Sequence, residues 1–256
     1  MEYLNRVIPV LTLTGGDKLV KTLGFKKPNY IGDPINAVKI FNEKMVDEIV
    51  LLDISATTER REPNYAKIEE ICSEAFMPFA YGGGIKTMDQ VKTLFGLGIE
   101  KVVLNSALFD SPELVKKIYS VYGSQSIIAS VDVRKSLLGG YKAYVHSGRK
   151  KVKMKFDEYI EFVKELNVGE LFITSIDLDG TYKGYDIELV KMASMKVDIP
   201  LIICGGAKNM KDMKMAIKAG ASAVAAGSFF VYKQPHQAVL ISYPSPDQIK
   251  KISNKS

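Results

Sequence analysis

The chain has 256 residues, of which 46% are hydrophobic and 25% charged, a balance typical of a globular protein. Its net charge of +6 comes from basic residues spread along the whole sequence. This spread argues against a nucleic-acid surface and is compatible with an anionic small-molecule ligand or an acidic protein partner. The two cysteines are far apart in sequence, which predicts neither a disulfide nor a metal site. There is no signal-peptide pattern and no apolar run of about 20 residues, so we expect a cytoplasmic protein without a membrane span. No cofactor is expected.

Predicted strands and helices alternate along most of the chain. Eight apolar runs predict strands at 7–11, 48–53, 77–81, 101–105, 126–132, 170–175, 200–204 and 221–226. Seven segments with helical spacing lie at 33–45, 64–75, 88–97, 111–122, 156–167, 186–195 and 210–219. Eight βα units in about 250 residues predict a single α/β domain, a (βα)8 TIM barrel, with a doubly wound open sheet as the alternative.

Three segments depart from this alternation. Residues 14–27 read as a glycine-containing loop that could cover a site. Residues 134–155 alternate about a glycine turn, which predicts a β-hairpin inserted after the fifth strand. The tail at 234–256 contains prolines and a β-branched centre, so the last helix is expected to be short or missing.

The two halves of the chain repeat one pattern. An apolar run ends in Gly82, and a second one ends in Gly205, 123 residues later. Each run leads through a helix to another strand with a polar tip, ending at Ser106 in the first half and at Ser228 in the second. This spacing predicts two duplicated half-barrels, at 1–122 and 123–233.

Small residues at the strand ends predict an anion site in each half. In a barrel, the carboxyl ends of all strands meet at one mouth, and glycine lets backbone N–H groups approach an anion closely. The candidate residues are Gly82, Gly83, Gly84, Asn105 and Ser106, then Gly205, Gly206, Gly227 and Ser228. A ligand with two phosphates would explain the duplication, whereas the alternative is that the glycines merely form tight turns.

Other residues at the same strand ends are candidates for chemistry. Asp132 ends the fifth strand and is the best general acid or base, because burial can raise a carboxyl pKa toward neutrality. Its counterpart in the first half is Thr12, whose hydroxyl cannot exchange a proton usefully at neutral pH. Asp53, Thr174 and Asp177 also lie at strand ends and are expected at the mouth.

Four charged residues stand at the opposite, amino ends of the strands. Arg6, Glu48, Lys101 and Glu170 enter the first, second, fourth and sixth strands. Two cations and two anions can pair as a ring, since an unpaired buried charge is costly. In a barrel of unknown function, the simplest interpretation is that these salt bridges stabilise and close the amino-end opening.

The chain resembles the cyclase subunit of imidazole glycerol phosphate synthase as far as about residue 232. The resemblance rests on Arg6-Val7-Ile8-Pro9, Gly32-Asp33-Pro34, Leu52-Asp53-Ile54, Gly82-Gly83-Gly84-Ile85, Gly123-Ser124-Gln125, Thr174-Ser175-Ile176-Asp177, Asp179-Gly180-Thr181 and Gly205-Gly206-Ala207. It implies a barrel whose amino-end face docks on a HisH-like glutaminase, and whose charged ring is a gate for ammonia. It also implies that Asp179, Gly180 and Thr181 bind phosphate and that Lys21 lies in a mobile substrate loop.

Two departures from that family stand out. The family has a catalytic aspartate where this chain has Thr12, and the proline-containing tail replaces its final helix. Both features resemble glycosyl amidation-associated paralogues encoded with surface-polysaccharide genes, whose barrel works with a glutaminase and a separate sugar amidotransferase. The leading hypothesis is therefore an ammonia-conducting subunit that retains its phosphate-binding mouth. The rivals are a working cyclase of histidine biosynthesis and a non-conducting scaffold.

Overall fold

Eight parallel strands form a closed barrel in this computed structural model, which describes residues 5–137 and 139–253. The N-terminal residues 1–4, included in the search for a signal peptide, lie outside the described residues. Strands β1 to β8 are Arg6–Thr14, Ile49–Asp53, Phe79–Gly82, Lys101–Leu104, Ile127–Lys135, Glu170–Ser175, Leu201–Cys204 and Ala223–Ala226. Each pairs with the next, and β8 pairs with β1. The predicted TIM barrel is confirmed, and the open sheet is wrong because the eight strands leave no edge.

Helices cover the outside of the barrel as the spacing predicted. They span Pro34–Glu43, Tyr65–Cys72, Met88–Gly96, Pro112–Tyr122, Phe156–Lys164, Ile187–Ser194 and Met210–Lys218. Asp33 caps the first, since its carboxylate accepts from the Ile35 amide at 3.3 Å. Two short helices, Ser106–Asp110 and Ser228–Val231, were not predicted and follow β4 and β8 at the mouth.

Antiparallel hairpins extend the first strand of each half. The hairpin after β5 is confirmed, with strands Tyr141–Val145 and Lys150–Lys151. The segment after β1 is also a hairpin, with strands Lys18–Lys21 and Asn29–Gly32. The loop predicted at 14–27 is therefore wrong at 18–21, whereas residues 15–17 and 22–27 contain no helix or strand. Neither strand is a continuous apolar run of the kind that marks the barrel strands, and the first of them is stabilised by pairing with β1.

The C-terminal tail contains a short helix, which confirms the reduced rather than the missing alternative. A small hairpin, Tyr232–Lys233 with Ala238–Val239, precedes the final helix, Pro246–Ser253. That helix packs on Met210–Lys218 and buries Ile249 and Ile252. The tail therefore still covers the wall of the barrel, although only its last part is helical.

Buried apolar side chains form two clusters. The larger lies between the strands and the helices. The smaller fills the inside of the barrel and consists of Ile8, Val10, Val50, Ala80, Val103, Ile128, Phe172, Ile202, Cys204, Ala223 and Ala225. Within residues 5–137 and 139–253, no helix is long and apolar enough to cross a membrane.

Candidate functional site

A cavity of about 450 Å³ opens at the carboxyl ends of the barrel strands. It brings together predicted residues from both halves of the chain. These are Thr12, Lys21, Asp53, Gly82, Gly83, Gly84, Asn105, Ser106, Asp132, Thr174, Asp179 and Gly227. A void of this size accommodates a small organic ligand.

The predicted anion site of the second half surrounds a much smaller void. This void of about 10 Å³ is lined by Asp179, Gly180, Gly205, Gly206, Gly227 and Ser228, among others, and Asp179 and Gly227 also line the larger cavity. Two of the residues predicted at the mouth line neither cavity. The Thr181 hydroxyl donates to the carbonyl oxygen of Leu178 at 2.8 Å. Asp177 accepts from the Arg134 guanidinium at 2.9 Å and from the Lys135 amide at 3.0 Å.

The glycines of both halves are required by backbone packing. Gly83 and Gly84 have φ values of 128° and 72°, and Gly205 and Gly206 have 97° and 98°. A Cβ on Gly83 would lie 2.5 Å from the Asp53 carbonyl oxygen. The tight-turn explanation thus accounts for these glycines, so evidence for an anion has to come from other side chains.

Strand register places Thr12 and Asp132 at equivalent positions. Thr12 pairs with Leu52 on the next strand, and Asp132 pairs with Thr174. Leu52 and Thr174 are separated by the same 122 residues as Ser106 and Ser228. The Thr12 hydroxyl donates to the Val20 carbonyl oxygen of the adjoining hairpin, so its proton is already engaged.

Asp132 is 7% exposed and faces the cavity. The Asn105 amide donates to its carboxylate at 3.2 Å. Burial and, to a smaller extent, the nearby charge of Asp179 raise the pKa of Asp132 to about 7. Its carboxyl group can therefore take up or release a proton at neutral pH.

Lys21 reaches into the mouth from the hairpin after β1. Its ammonium donates to the Val10 carbonyl oxygen at 2.6 Å. Burial lowers the pKa of Lys21 to about 8, although Asp179 favours the charged form. Burial likewise raises the pKa of Asp179, against the opposing effects of Lys21 and a hydrogen bond from Thr22.

Asp53 lines the cavity but is occupied by its own loop. The Arg61 guanidinium donates to its carboxylate at 3.0 Å, and the amides of Ser55 and Ala56 each donate at 3.1 Å. These bonds fix the loop after β2 and leave the carboxylate little capacity to bind a ligand.

The four charged residues at the amino ends form a continuous ring. Lys101 donates to Glu48 at 3.1 Å and to Glu170 at 2.7 Å. Arg6 pairs with the same two carboxylates, and its distance to Glu170 is 2.6 Å. Each carboxylate therefore lies between Arg6 and Lys101. Burial alone would raise the pKa of Glu170, but the hydrogen bonds from Arg6 and Lys101 hold it below the usual value.

Only a short apolar layer separates this ring from the mouth. Phe172 and Val103 line the cavity, and each lies two residues beyond a ring residue, Glu170 or Lys101. Two residues of strand span about 7 Å. The side chains in this space belong to the inner apolar cluster. They include Ala80 and other small side chains, together with isoleucines.

Several residues at the mouth were missed by sequence reasoning. Lys26, Lys86, Ser147 and Arg149 line the cavity, and none was among the predicted site residues. Lys86 could have been predicted from the duplication, because it follows the first glycine run and Lys208 follows the second one 122 residues later. In the described part of the chain, no group of three or more His, Cys, Asp or Glu side chains could hold a metal ion.

Comparison with known proteins gives full-length matches. The profile of the family described as "Histidine biosynthesis protein" matches residues 6–236. A Pseudomonas aeruginosa protein, provisionally named imidazole glycerol phosphate synthase subunit hisF2, is 46% identical over 96% of this chain and 98% of its own. A Vibrio vulnificus relative, provisionally named subunit hisF3, is 44% identical over 96% of this chain and 95% of its own. Imidazole glycerol phosphate synthase subunit HisF of Petrotoga mobilis is 37% identical over 89% of this chain and 90% of its own.

Proposed function

The chain belongs to the histidine biosynthesis protein family, and on that premise we propose that it is a HisF-like subunit that conducts ammonia from a partner glutaminase to its mouth. The ammonia is used to amidate a surface-polysaccharide sugar, together with a separate sugar amidotransferase. The observation that carries this proposal is the closed ring of Arg6, Glu48, Lys101 and Glu170, with one thin apolar layer behind it.

The apolar layer suits neutral ammonia rather than ammonium. Transfer of an unpaired ion into an apolar interior costs tens of kcal/mol, whereas neutral ammonia loses only its hydrogen bonds to water, at a cost of about 2–7 kcal/mol. The ring lies at the amino-end opening, where ammonia enters, and one corner has to open for passage. A barrier about 7 Å thick requires only small movements of the inner side chains.

The glutaminase docks on the amino-end face around the ring. Three apolar side chains are strongly exposed in loops that precede β2, β3 and β7, namely Met45 at 78%, Phe76 at 80% and Met195 at 81%. By topology these loops lie at the amino ends of the strands. Exposed apolar side chains around a functional opening are typical of a protein-binding surface.

The mouth lacks the pair of carboxyl groups that the cyclase reaction implies. Asp132 is present and can titrate near neutrality, but its counterpart is Thr12, whose proton is engaged by Val20. Groups that act as a catalytic unit lose most of their effect when one is removed. The alternative function, a cyclase of histidine biosynthesis, is favoured by the retained Asp132 and by the relatives named HisF.

A cyclase assay separates these two functions. The purified chain is supplied with ammonium salt and the two-phosphate ribulosyl substrate, with Petrotoga mobilis HisF as the positive control. We expect turnover by the control and no product from this chain. Turnover within tenfold of the control would overturn the proposal in favour of the cyclase.

A further inference from the structure

The C-terminal tail reaches the amino end of the barrel, beside the charged ring. The Tyr243 hydroxyl donates to the Val7 carbonyl oxygen at 2.7 Å. It also lies 3.2 Å from the Asp47 carboxylate, which accepts from the Val7 amide at 3.1 Å. Val7 directly follows the ring residue Arg6, and Asp47 directly precedes the ring residue Glu48. The tail therefore contacts the main chain next to two members of the ring.

These bonds occupy a position that strand pairing leaves open. The first four residues of β1 pair with β8, but β1 pairs with β2 only from Val10 onward. Val7 is fully buried, and an unpaired backbone group in such a place is costly. Asp47 and Tyr243 satisfy the amide and the carbonyl of Val7, and so hold the start of β1 against the loop before β2.

The Tyr243 hydroxyl has a single proton for two acceptors. A carbonyl oxygen and a carboxylate can only accept, so the proton is directed mainly to Val7, the closer of the two. Burial and, to a smaller extent, the charge of Asp47 raise the pKa of Tyr243 well above its usual value. The hydroxyl therefore keeps its proton, and this bond persists, at neutral pH.

The segment that carries Tyr243 is itself anchored. The Leu240 amide donates to the Val231 carbonyl oxygen at 2.8 Å. The Ser242 amide donates to the Phe230 carbonyl oxygen, also at 2.8 Å, and the rings of Phe230 and Tyr243 pack with their centroids 5.6 Å apart. A change of Tyr243 to phenylalanine keeps this packing and removes only the hydroxyl.

We propose that Tyr243 and Asp47 are positioning residues that hold closed the corner of the ring formed by Arg6 and Glu48. Arg6 bonds both ring carboxylates, and such charge-assisted bonds depend on geometry. Without the hydroxyl, the start of β1 can move away from β2, which weakens the bonds that Arg6 makes and admits water and ammonium at this corner. The inference rests on the proposed function, because it concerns the same gate.

Carbon-13 NMR titration of the glutamate carboxyl groups tests the position of Arg6 in the full chain without any partner. Burial raises the pKa of Glu170, but the hydrogen bonds from Arg6 and Lys101 hold it below its usual value, so a displaced Arg6 lets it rise. We expect Lys101→Met to raise the pKa of Glu170, and Tyr243→Phe to raise it by at least about a third as much. An unchanged pKa in Tyr243→Phe would overturn the inference.

Tyr141→Phe is the matched control for this titration. The Tyr141 hydroxyl donates to the Asp186 carboxylate at 2.8 Å, in the hairpin after β5 at the other end of the barrel. Both changes leave the net charge as it is, so a rise that occurs only in Tyr243→Phe reports the position of Arg6. A similar rise in Tyr141→Phe would show a general loosening of the barrel and would overturn the inference.

Nitrogen leakage gives the functional readout, with a glutaminase and a sugar amidotransferase present. We expect unlabelled ammonium to dilute glutamine-derived ¹⁵N in the amidated sugar more strongly with Tyr243→Phe than with the wild type or Tyr141→Phe. Retention of ¹⁵N by the wild type and by both variants would overturn this inference alone. Complete dilution with the wild type would instead overturn the proposed function, and the NMR titration would still decide whether Tyr243 positions Arg6.

Discussion

Replacement of Lys101 by methionine removes one charge from the ring and keeps the apolar stem of the side chain. Loss of one partner from a buried ion pair costs about 3–5 kcal/mol. Here the lysine is 19% exposed, and both carboxylates retain Arg6. We therefore expect Lys101→Met to lower the free energy of unfolding by about 2 kcal/mol, which corresponds to a fall in Tm of about 4–8 °C.

Urea denaturation at neutral pH measures this effect, with Lys116→Met as the matched control. Lys116 also pairs with a carboxylate, Glu113 at 2.9 Å, but both side chains are more than half exposed. Exposed pairs of this kind contribute less than about 1 kcal/mol. If Lys101→Met costs no more than the control, the ring is not an energetically coupled unit and our interpretation of it is refuted.

The cost of Lys101→Met should also depend on pH. The pKa of Glu170 in the folded protein lies below its usual value because its hydrogen bonds outweigh burial. Such a group contributes stability above its unfolded pKa of about 4.3, and this contribution is lost as the pH falls through the folded pKa. The difference between wild type and variant should therefore shrink below about pH 4.

Three further changes test other parts of the molecule. Asp132→Asn should gain stability relative to the wild type as the pH rises from about 4 to about 7. A carboxyl group whose folded pKa is raised to about 7 contributes its full stability below its unfolded pKa of about 3.9 and has lost it once the pH passes the folded value; parallel pH profiles would contradict this. Thr12→Val removes the hydrogen bond to Val20 and should cost about 1 kcal/mol in urea denaturation, whereas an unchanged midpoint would show that the bond contributes nothing. Ile249→Ala should cost about 3 kcal/mol, because this side chain of the final helix is buried. Lys250→Ala, at an exposed position of the same helix, is the control, and equal costs would mean that the helix is not docked.

Much of the barrel and its mouth was predictable from local pattern. Apolar runs of five to seven residues, alternating with seven helical segments along most of the chain, identified all eight strands. Because parallel strands end at one mouth, residues as distant as Gly82 and Asp179 were correctly expected to lie near the same opening. The ring of Arg6 and its partners followed from the same geometry at the other end.

The features that sequence reasoning missed depend on contacts between distant segments. The hydrogen bonds from Thr22 and Gly24 to Asp179 join segments more than 150 residues apart, and no local pattern encodes them. The duplicated glycine runs suggested two equal sites, but the glycines are needed for turns in both halves. Arg149 was assigned only to a hairpin, because its position over the cavity depends on how that hairpin folds back.

Isotope competition tests ammonia conduction most directly. The chain is combined with the glutaminase and the sugar amidotransferase of the same organism, supplied with glutamine labelled with ¹⁵N in its amide group and with excess unlabelled ammonium. Conduction through the barrel predicts that the amidated sugar keeps its ¹⁵N content as ammonium is added. A ¹⁵N content that falls in proportion to the added ammonium would show that the nitrogen mixes with bulk solvent, and would contradict a passage through the ring.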